Sequence, residues 1–443
     1  MESLASYLLR KRHELRLIEA CLADPAPAEP ARSIEEAAEQ KFRAGAAVKA
    51  EQARSTWALT ETHWAEGTSL RVGQFEVAYT YQRADLAVHG PSLYDGPGRD
   101  SGQLVVWSGY TSSGMAALAT VLMALGRNPG GAVVTMRPDG YPETRQLIET
   151  YGQRIGVVPA FETGPPQAAR HCDPQALRVL LLDSGLPERF SIPNPALAAT
   201  ADLLMFDTTC LATSSGRLAR ALRHAEDAGL PSVLVRSHTK LDSLGIEYGR
   251  LGSVVLLMPR RVTPERRRHA ERLAQEVPDA VRLFGAAAVP AHLPPFVGGA
   301  RWRRLYRQRV ARIIRNNRRA ARRLSALLPS PWVARCYQHG LFLTLDPGTE
   351  QDETQARGMA SALAHALHEA RLPVRQAGSF GFDFAVTDAF PAIGSERFIL
   401  RLALADLPGA AIDAIVAGIV AWGARSGQAE RPWAGCARKT GPR

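Results

Sequence analysis

An α/β domain built on a mainly parallel sheet, followed by a smaller α+β domain, is the fold this sequence predicts, and three observations predict it. Between 79 and 257, seven short apolar runs alternate with helical or turn-rich stretches. The runs are continuously apolar rather than alternating, as strands covered on both faces are. After 259 the texture changes to arginine-rich helices and then to a few apolar runs between helices, the order of an α+β unit.

The first segment, MESLASYLLRKRHELRL, reads as an amphipathic helix, because its apolar residues precede its charges, the wrong order for a secretory signal. A Pro/Ala break at DPAPAEPARS separates it from a second helix over 34–52, where Ser33 is the expected cap ahead of an acidic first turn. Residues 1–75 together read as a helical arm. The strand runs follow: LVVWSG, GAVVTM, IGVVPAF, ALRVLLLD, ADLLMFD, PSVLVRS and LGSVVLLM, with an Ala/Leu helix over 113–125 and another helix after Tyr141. They predict a three-layer sandwich with a seven-stranded sheet over 76–258. In 259–443, helices are expected over 264–328, with Leu305, Val310, Ile313 and Ile314 on a buried stripe and the arginines fanned around the rest. Strands are expected in CYQHGLFLTLD, LPVRQAGSFG and ERFILRLAL, and a last helix over 408–422.

With 443 residues, 46% hydrophobic and 22% charged, the chain is long enough for two or three domains and falls outside the disordered, collagenous and coiled-coil classes. Its five cysteines are scattered and show no paired spacing, which disfavours a disulfide framework or a zinc cluster and fits reduced thiols in the cytoplasm. No apolar stretch approaches the ~18 residues of a membrane span. Lys and Arg outnumber Asp and Glu by 54 to 43, and 11 arginines with no acid fall between Arg301 and Arg323. Such a cluster suits a solvated helix, a phosphate-bearing ligand, a partner subunit or nucleic acid. The aromatic platforms and helix-turn-helix frame of nucleic-acid binders are not legible, so that partner is disfavoured.

Four polar positions fall at expected carboxyl ends of strands, where open α/β sheets bind ligands. Ser108–Met115 leads into a small-residue helix and can offer N–H groups and the Ser112 and Ser113 hydroxyls to a phosphate; it has neither the Walker lysine nor a dinucleotide fingerprint. Asp207 can keep a cofactor's ring nitrogen protonated or can cap a turn. Lys240, in Arg236-Ser-His-Thr-Lys240, can form a Schiff base with Ser237 and Thr239 beside a phosphate, or can be a surface lysine. Arg401 lies alone in an apolar strand and must meet a carboxylate, from a substrate or from the protein.

These residues resemble those of the fold type I pyridoxal-phosphate enzymes, and within them the cysteine and methionine metabolism group of cystathionine synthases and lyases and methionine gamma-lyase. The resemblance rests on Ser113-Gly114-Met115, Tyr141-Pro142-Glu143-Thr144, Asp207-Thr208-Thr209, Ser237-His238-Thr239-Lys240, Arg401-Leu402-Ala403 and Tyr81-Gln82-Arg83, in order over about 79–405. It implies a pyridoxal 5'-phosphate site made by Ser113, Gly114, Met115, Tyr141, Asp207, Ser237, Thr239 and Lys240. It implies Arg401 and Ser379 on the substrate, and Tyr81 and Arg83 reaching across a homodimer or homotetramer interface. Thr208 replaces the usual Asn, and Asp183-Ser184-Gly185-Leu186-Pro187-Glu188 lacks the family's Asn, which marks a divergent member.

The implied activity is gamma- or beta-elimination or replacement on an amino acid with a side-chain leaving group. Lys240 would act as aldimine lysine and base, through a quinonoid, with Tyr141 and Asp207 catalytic beside it. S-adenosylmethionine or an O-activated homoserine is a candidate donor in secondary metabolism, and the arginine cluster could serve an anionic co-substrate. An aminotransferase, or a non-enzymatic nucleic-acid-binding protein on the same scaffold, are the alternatives.

Overall fold

Both opening helices start where a serine hydroxyl replaces a missing helical acceptor. In the computed structural model, which describes residues 2–25, 28–56, 69–79, 86–89, 103–161, 175–185, 195–337, 340–392 and 395–429, α1 (Leu4–Glu19) begins with Ser3 Oγ accepting the Ser6 N–H at 3.2 Å. Helix α2 (Ile34–Thr56) begins with Ser33 Oγ accepting the Glu36 N–H at 3.1 Å, the expected cap. A small antiparallel sheet of β1 (Ser69–Val72), β2 (Phe75–Tyr79) and β3 (Leu86–His89) follows. The sequence reading does not contain it, because its strands are short and mixed in polarity.

All seven expected strands form: β4 (Leu104–Thr111), β5 (Ala132–Met136), β6 (Val157–Phe161), β7 (Leu177–Asp183), β8 (Leu203–Asp207), β9 (Ser232–Ser237) and β10 (Gly252–Met258). Between them run α3 (Gly114–Gly126), α4 (Pro142–Tyr151), α5 (Pro195–Thr200) and α6 (Gly216–Asp227). The order across the sheet is β4-β10-β9-β8-β7-β5-β6, with β10 antiparallel to both neighbours and the other pairs parallel. One sheet face is covered by a cluster that includes Leu118, Val121 and Leu122 of α3, the other by one that includes Leu218 and Leu222 of α6. That double cover is why the strands read as continuous apolar runs.

Beyond the sheet lie α7 (Pro264–Leu283), α8 (Ala300–Leu327), β11 (Val333–Tyr337), β12 (Phe342–Asp346), α9 (Glu353–Glu369), β13 (Val374–Gln376), β14 (Ala385–Pro391), β15 (Phe398–Ala403) and α10 (Gly409–Ala429). The five strands are ordered β11-β12-β15-β14-β13. Here the expectation needs correction: CYQHGLFLTLD holds two strands, LPVRQAGSFG is strand only at 374–376, and β14 is additional. The last helix runs seven residues past its expected end at Trp422. On α8, Ile314 is only half-buried, and Arg309 is 0% exposed, so the arginine helix is not solvated all round.

Arg309 belongs to a buried charge network. Its guanidinium pairs with Asp383 and Asp406 and donates to Gly381 O at 2.7 Å and Phe382 O at 2.6 Å. Lys11 Nζ of α1 reaches Glu14, Asp383 and Asp406 at 3.1, 2.6 and 2.9 Å. Lys41 of α2 pairs with Glu14, with Asp383 at 2.6 Å, and donates to Leu244 O at 2.6 Å. Arg10 pairs with Asp406 and, at 2.9 Å, with Glu2. Residues 372 and 396 positions apart thus share protons at one point.

Removing one member leaves its partners charged in an apolar surround. Lys41→Met or Asp406→Asn should therefore cost about 3–5 kcal/mol of stability, read as a lowered urea midpoint. The cationic partners hold the Asp383, Asp406 and Glu14 carboxyls below the ordinary range against the opposing effect of burial. A depressed carboxyl contributes stability above its unfolded value and loses it as pH falls through the folded one. The urea midpoint should accordingly drop steeply below about pH 4, and a midpoint flat in that range would refute the network's contribution.

Candidate active site

The polar side chains collect at the carboxyl ends of the parallel strands. Lys240 follows β9 in a turn fixed from below: Arg236 donates two bonds to Asp242 at 2.8 Å, and His238 bridges Asp242 and Ser253 at 2.7 Å each. Burial lowers the His238 pKa, with Asp242 opposing. Trp302 Nε1 donates to Asp242 O at 3.0 Å, and Ser243 Oγ to Thr239 O at 2.7 Å. Gly381, at φ +91, lies so close that a Cβ there would stand 2.4 Å from Lys240 O, an approach that glycine alone allows. The turn directs Lys240 Nζ between two rings, 5.4 Å from the centre of Tyr141 and 5.1 Å from that of Phe380.

Asp207 ends β8, and its register partner across the parallel pair is Asp183, the end of β7. Two carboxylates therefore sit side by side facing the same way. Asp183 Oδ2 accepts the Tyr141 N–H and Oδ1 the Gly185 N–H, both at 2.6 Å, while Asp207 Oδ1 accepts the Thr209 N–H at 2.9 Å. Burial and the charge of Asp207 raise Asp183 to about 7. Asp183 thereby fixes the backbone that carries Tyr141, at the start of α4. Burial and Glu143 hold the Tyr141 phenol protonated.

Beside Lys240, Ser237 Oγ and Thr239 Oγ1 are 2.8 Å apart, and Thr209 Oγ1 accepts the Ser237 N–H at 3.0 Å. Helix α3 starts against them: a Cβ on Gly114 would lie 2.7 Å from Ser237 Cβ, so Gly114 sets how closely the helix approaches β9. Ser113 Oγ caps α3 on the Ala116 N–H at 3.0 Å, leaving the earlier N–H groups for an anion. Met115 packs into the apolar layer behind the helix.

Arg401 of β15 is 9% exposed, and neither its Nε nor its Nη2 has a hydrogen-bond partner. Asp388 on the neighbouring strand stands 3.6 Å away. The guanidinium also lies 5.8 Å from the Phe342 ring centre, and burial lowers its pKa against the opposing charge of Asp388. Of the two readings left open by the sequence, the structure shows a long ion pair and unused donors together. Cys210 donates its N–H to Ser184 Oγ at 2.9 Å, and its thiol is pushed up to about 12, by burial first and then by Asp183 and Asp207 against Lys240. At neutral pH that keeps the buried thiol protonated.

Ser379 lies in the loop between β13 and β14, two residues before the Gly381 that abuts Lys240 O. Tyr81 and Arg83 lie outside the described residues. Asp183, Phe380 and Tyr337 are the site residues to which the sequence alone assigned no role. For Asp183 a signal existed, since β7 and β8 both end on Asp after an apolar run. No group of His, Cys, Asp and Glu able to hold a metal occurs among the described residues, and none of their helices is long and apolar enough to cross a membrane.

No protein-family model matches the chain, and no curated protein matches it. Solved structures do. Cystathionine gamma synthase from Xanthomonas oryzae pv. oryzae, in complex with aminoacrylate and cysteine, is similar with a TM-score of 0.53 at 17% identity, over 86% of this chain and 98% of that one. MetB from Corynebacterium glutamicum gives 0.52 at 14% identity, over 82% and 98%. A protein assigned as an O-acetylhomoserine (thiol)-lyase in Campylobacter jejuni subsp. jejuni, carrying N'-pyridoxyl-lysine-5'-monophosphate, gives 0.52 at 13% identity, over 74% and 84%. The shared feature is the fold: the three-layer sandwich and smaller α+β domain of fold type I pyridoxal-phosphate transferases.

The folded Asp183 carboxyl, near 7, holds a proton that an unfolded one, near ~4, has released. Its contribution to stability is complete below the unfolded value and is lost as pH rises towards 7. Asp183→Asn should flatten the fall in urea midpoint between about pH 5 and 8. The same slope in both proteins would remove the assignment.

Proposed function

We propose that the chain is a pyridoxal-phosphate-dependent enzyme of amino acids, of the elimination or replacement type. The observation that carries this reading is Lys240 Nζ set between the Tyr141 and Phe380 rings, on the strand-end surface that carries Asp207 and within the field of Arg401's surroundings. The residues fit the cofactor on two counts: a hydroxyl pair and helix start that can take a phosphate, and a buried guanidinium with unused donors that can take a carboxylate. The three similar structures support the elimination or replacement class by what their descriptions name.

Lys240 is the amine that would hold the cofactor, Ser113, Gly114, Ser237 and Thr239 its phosphate, Asp207 its ring nitrogen and Tyr141 its face. When bound, the cofactor supplies an electron sink for the bonds broken at the substrate's Cα. Arg401 orients the substrate by its carboxylate. Lys240 Nζ, once free, is placed to take and return the Cα proton. Asp207 offers its carboxyl group to the ring nitrogen, and Cys210, Tyr337 and Phe342 wall the site from water. In this reading the protein works in the cytoplasm as a homodimer or homotetramer, and Tyr81 and Arg83 reach the neighbouring subunit's phosphate.

Reconstitution with pyridoxal phosphate should produce a visible absorption band, and borohydride should fix the label on Lys240. Lys240→Ala should lose both, and its activity should fall about 10²–10⁴-fold; a fixed label elsewhere would overturn the reading. Arg401→Ala should keep the band while weakening amino-acid binding by about 1.5–3 kcal/mol, seen in spectral titration.

A further inference from the structure

Three arginines of this chain hold a carboxylate on the same edge of the guanidinium, the one formed by Nε and Nη2. Arg236 takes Asp242 there at 2.8 Å on both bonds, Arg178 takes Asp202 at 3.1 and 2.9 Å, and Arg10 takes Glu2 at 3.1 and 2.9 Å. Such a fork matches the two oxygens of a carboxylate. In Arg401 the same two nitrogens are buried without a hydrogen-bond partner, although an acid is at hand. Asp388, itself buried, is the register partner of Arg401 across β14 and β15.

Asp388 leaves the fork open because two cations share it. Its Oδ2 stands 3.6 Å from Arg401 Nη2, and its Oδ1 stands 3.6 Å from Nη1 of Arg357, a residue of α9 whose side chain is 53% exposed. Both distances lie beyond hydrogen-bond reach, so Asp388 balances the charge of Arg401 through space and occupies none of its donors. A second carboxylate seated on that fork would meet the first with little water between them, where like charges repel most strongly. We infer that Asp388 is a positioning residue that keeps Arg401 charged and ready while the site is empty and, by repelling the carboxylate that arrives there, limits the affinity for the amino acid and hastens release of the product. The inference rests on the reading of Arg401 given above.

Methionine and alanine, titrated into the reconstituted protein and followed by cofactor absorbance and by calorimetry, test it. Asp388→Asn keeps the shape and removes the charge, so it should bind both at least about tenfold more tightly than the wild type; a merely structural role predicts the opposite sign. Arg357→Gln, at the surface, leaves Asp388 to act on Arg401 alone, and both affinities should fall about two- to fivefold. In an Arg401→Ala background neither substitution should change binding. Equal or weaker binding by a folded Asp388→Asn, unchanged or tighter binding by Arg357→Gln where Asp388→Asn does not fold, or a tightening that survives in Arg401→Ala overturns the inference alone. Binding by none of the proteins, or by Arg401→Ala as tightly as by the wild type, overturns the reading of Arg401. A wild type that forms no cofactor band overturns the cofactor reading, and the inference falls with either.

Discussion

Four cations and four carboxylates, Arg10, Lys11, Lys41 and Arg309 with Glu2, Glu14, Asp383 and Asp406, meet where α1, α2, α8 and the C-terminal sheet converge. Stripping so many ions of water is unfavourable unless every one is paired, and here each has several partners. An apolar cluster of similar volume could supply as much stability. It could not supply direction, because ion pairs and hydrogen bonds fix which groups meet and at what angle. The network's spare donors go to Leu244 O, Gly381 O and Phe382 O. Those carbonyls belong to the two loops on either side of Lys240, so the position of the lysine is set from outside the sheet that carries it.

The sheet contributes its half through strand ends. Adjacent parallel strands in register must present their last side chains together, which places Asp183 beside Asp207. One of these carboxyls holds the Tyr141 and Gly185 backbone, and the other is left at the surface of the site. The close approach of Gly114 to Ser237 brings the α3 N-terminus to the same edge. Three kinds of chemistry, amine, carboxylate and anion cradle, thus arise from one topological fact, and Arg401 arrives from the second sheet to face them.

Much of this was legible in the chain itself. Seven strands were readable because both of their faces are buried, Lys240 and Asp207 because polar residues after apolar runs mark strand ends, and Tyr141 only through the family resemblance. The direction of β10 was not readable, since an antiparallel strand inside a covered sheet has the same apolar text as a parallel one. Strand β14 escaped because AVTDAFP mixes an acid and a proline into its run. Among 11 arginines in one helix, nothing local separates Arg309 from its solvated neighbours. Its partners Asp383 and Asp406 lie 74 and 97 residues away, and only the tertiary fold brings them together.

The separation of the network's members along the chain also orders events during synthesis. Lys41 and Lys240 emerge from the ribosome well before Asp383 and Asp406, and until those two aspartates arrive Lys11 and Lys41 have only Glu14 to pair with. The strands of the seven-stranded sheet are complete at Met258, and Arg236, His238 and Ser253 already brace the Lys240 turn, but the bonds that bind that turn's neighbours Gly381 and Phe382 to Arg309 wait until nearly the whole chain exists. A nascent chain halted before 383 would therefore possess the strand-end residues without the frame that aims them. Maturation of the site is a C-terminal event, although most of its residues are translated in the first two-thirds of the protein.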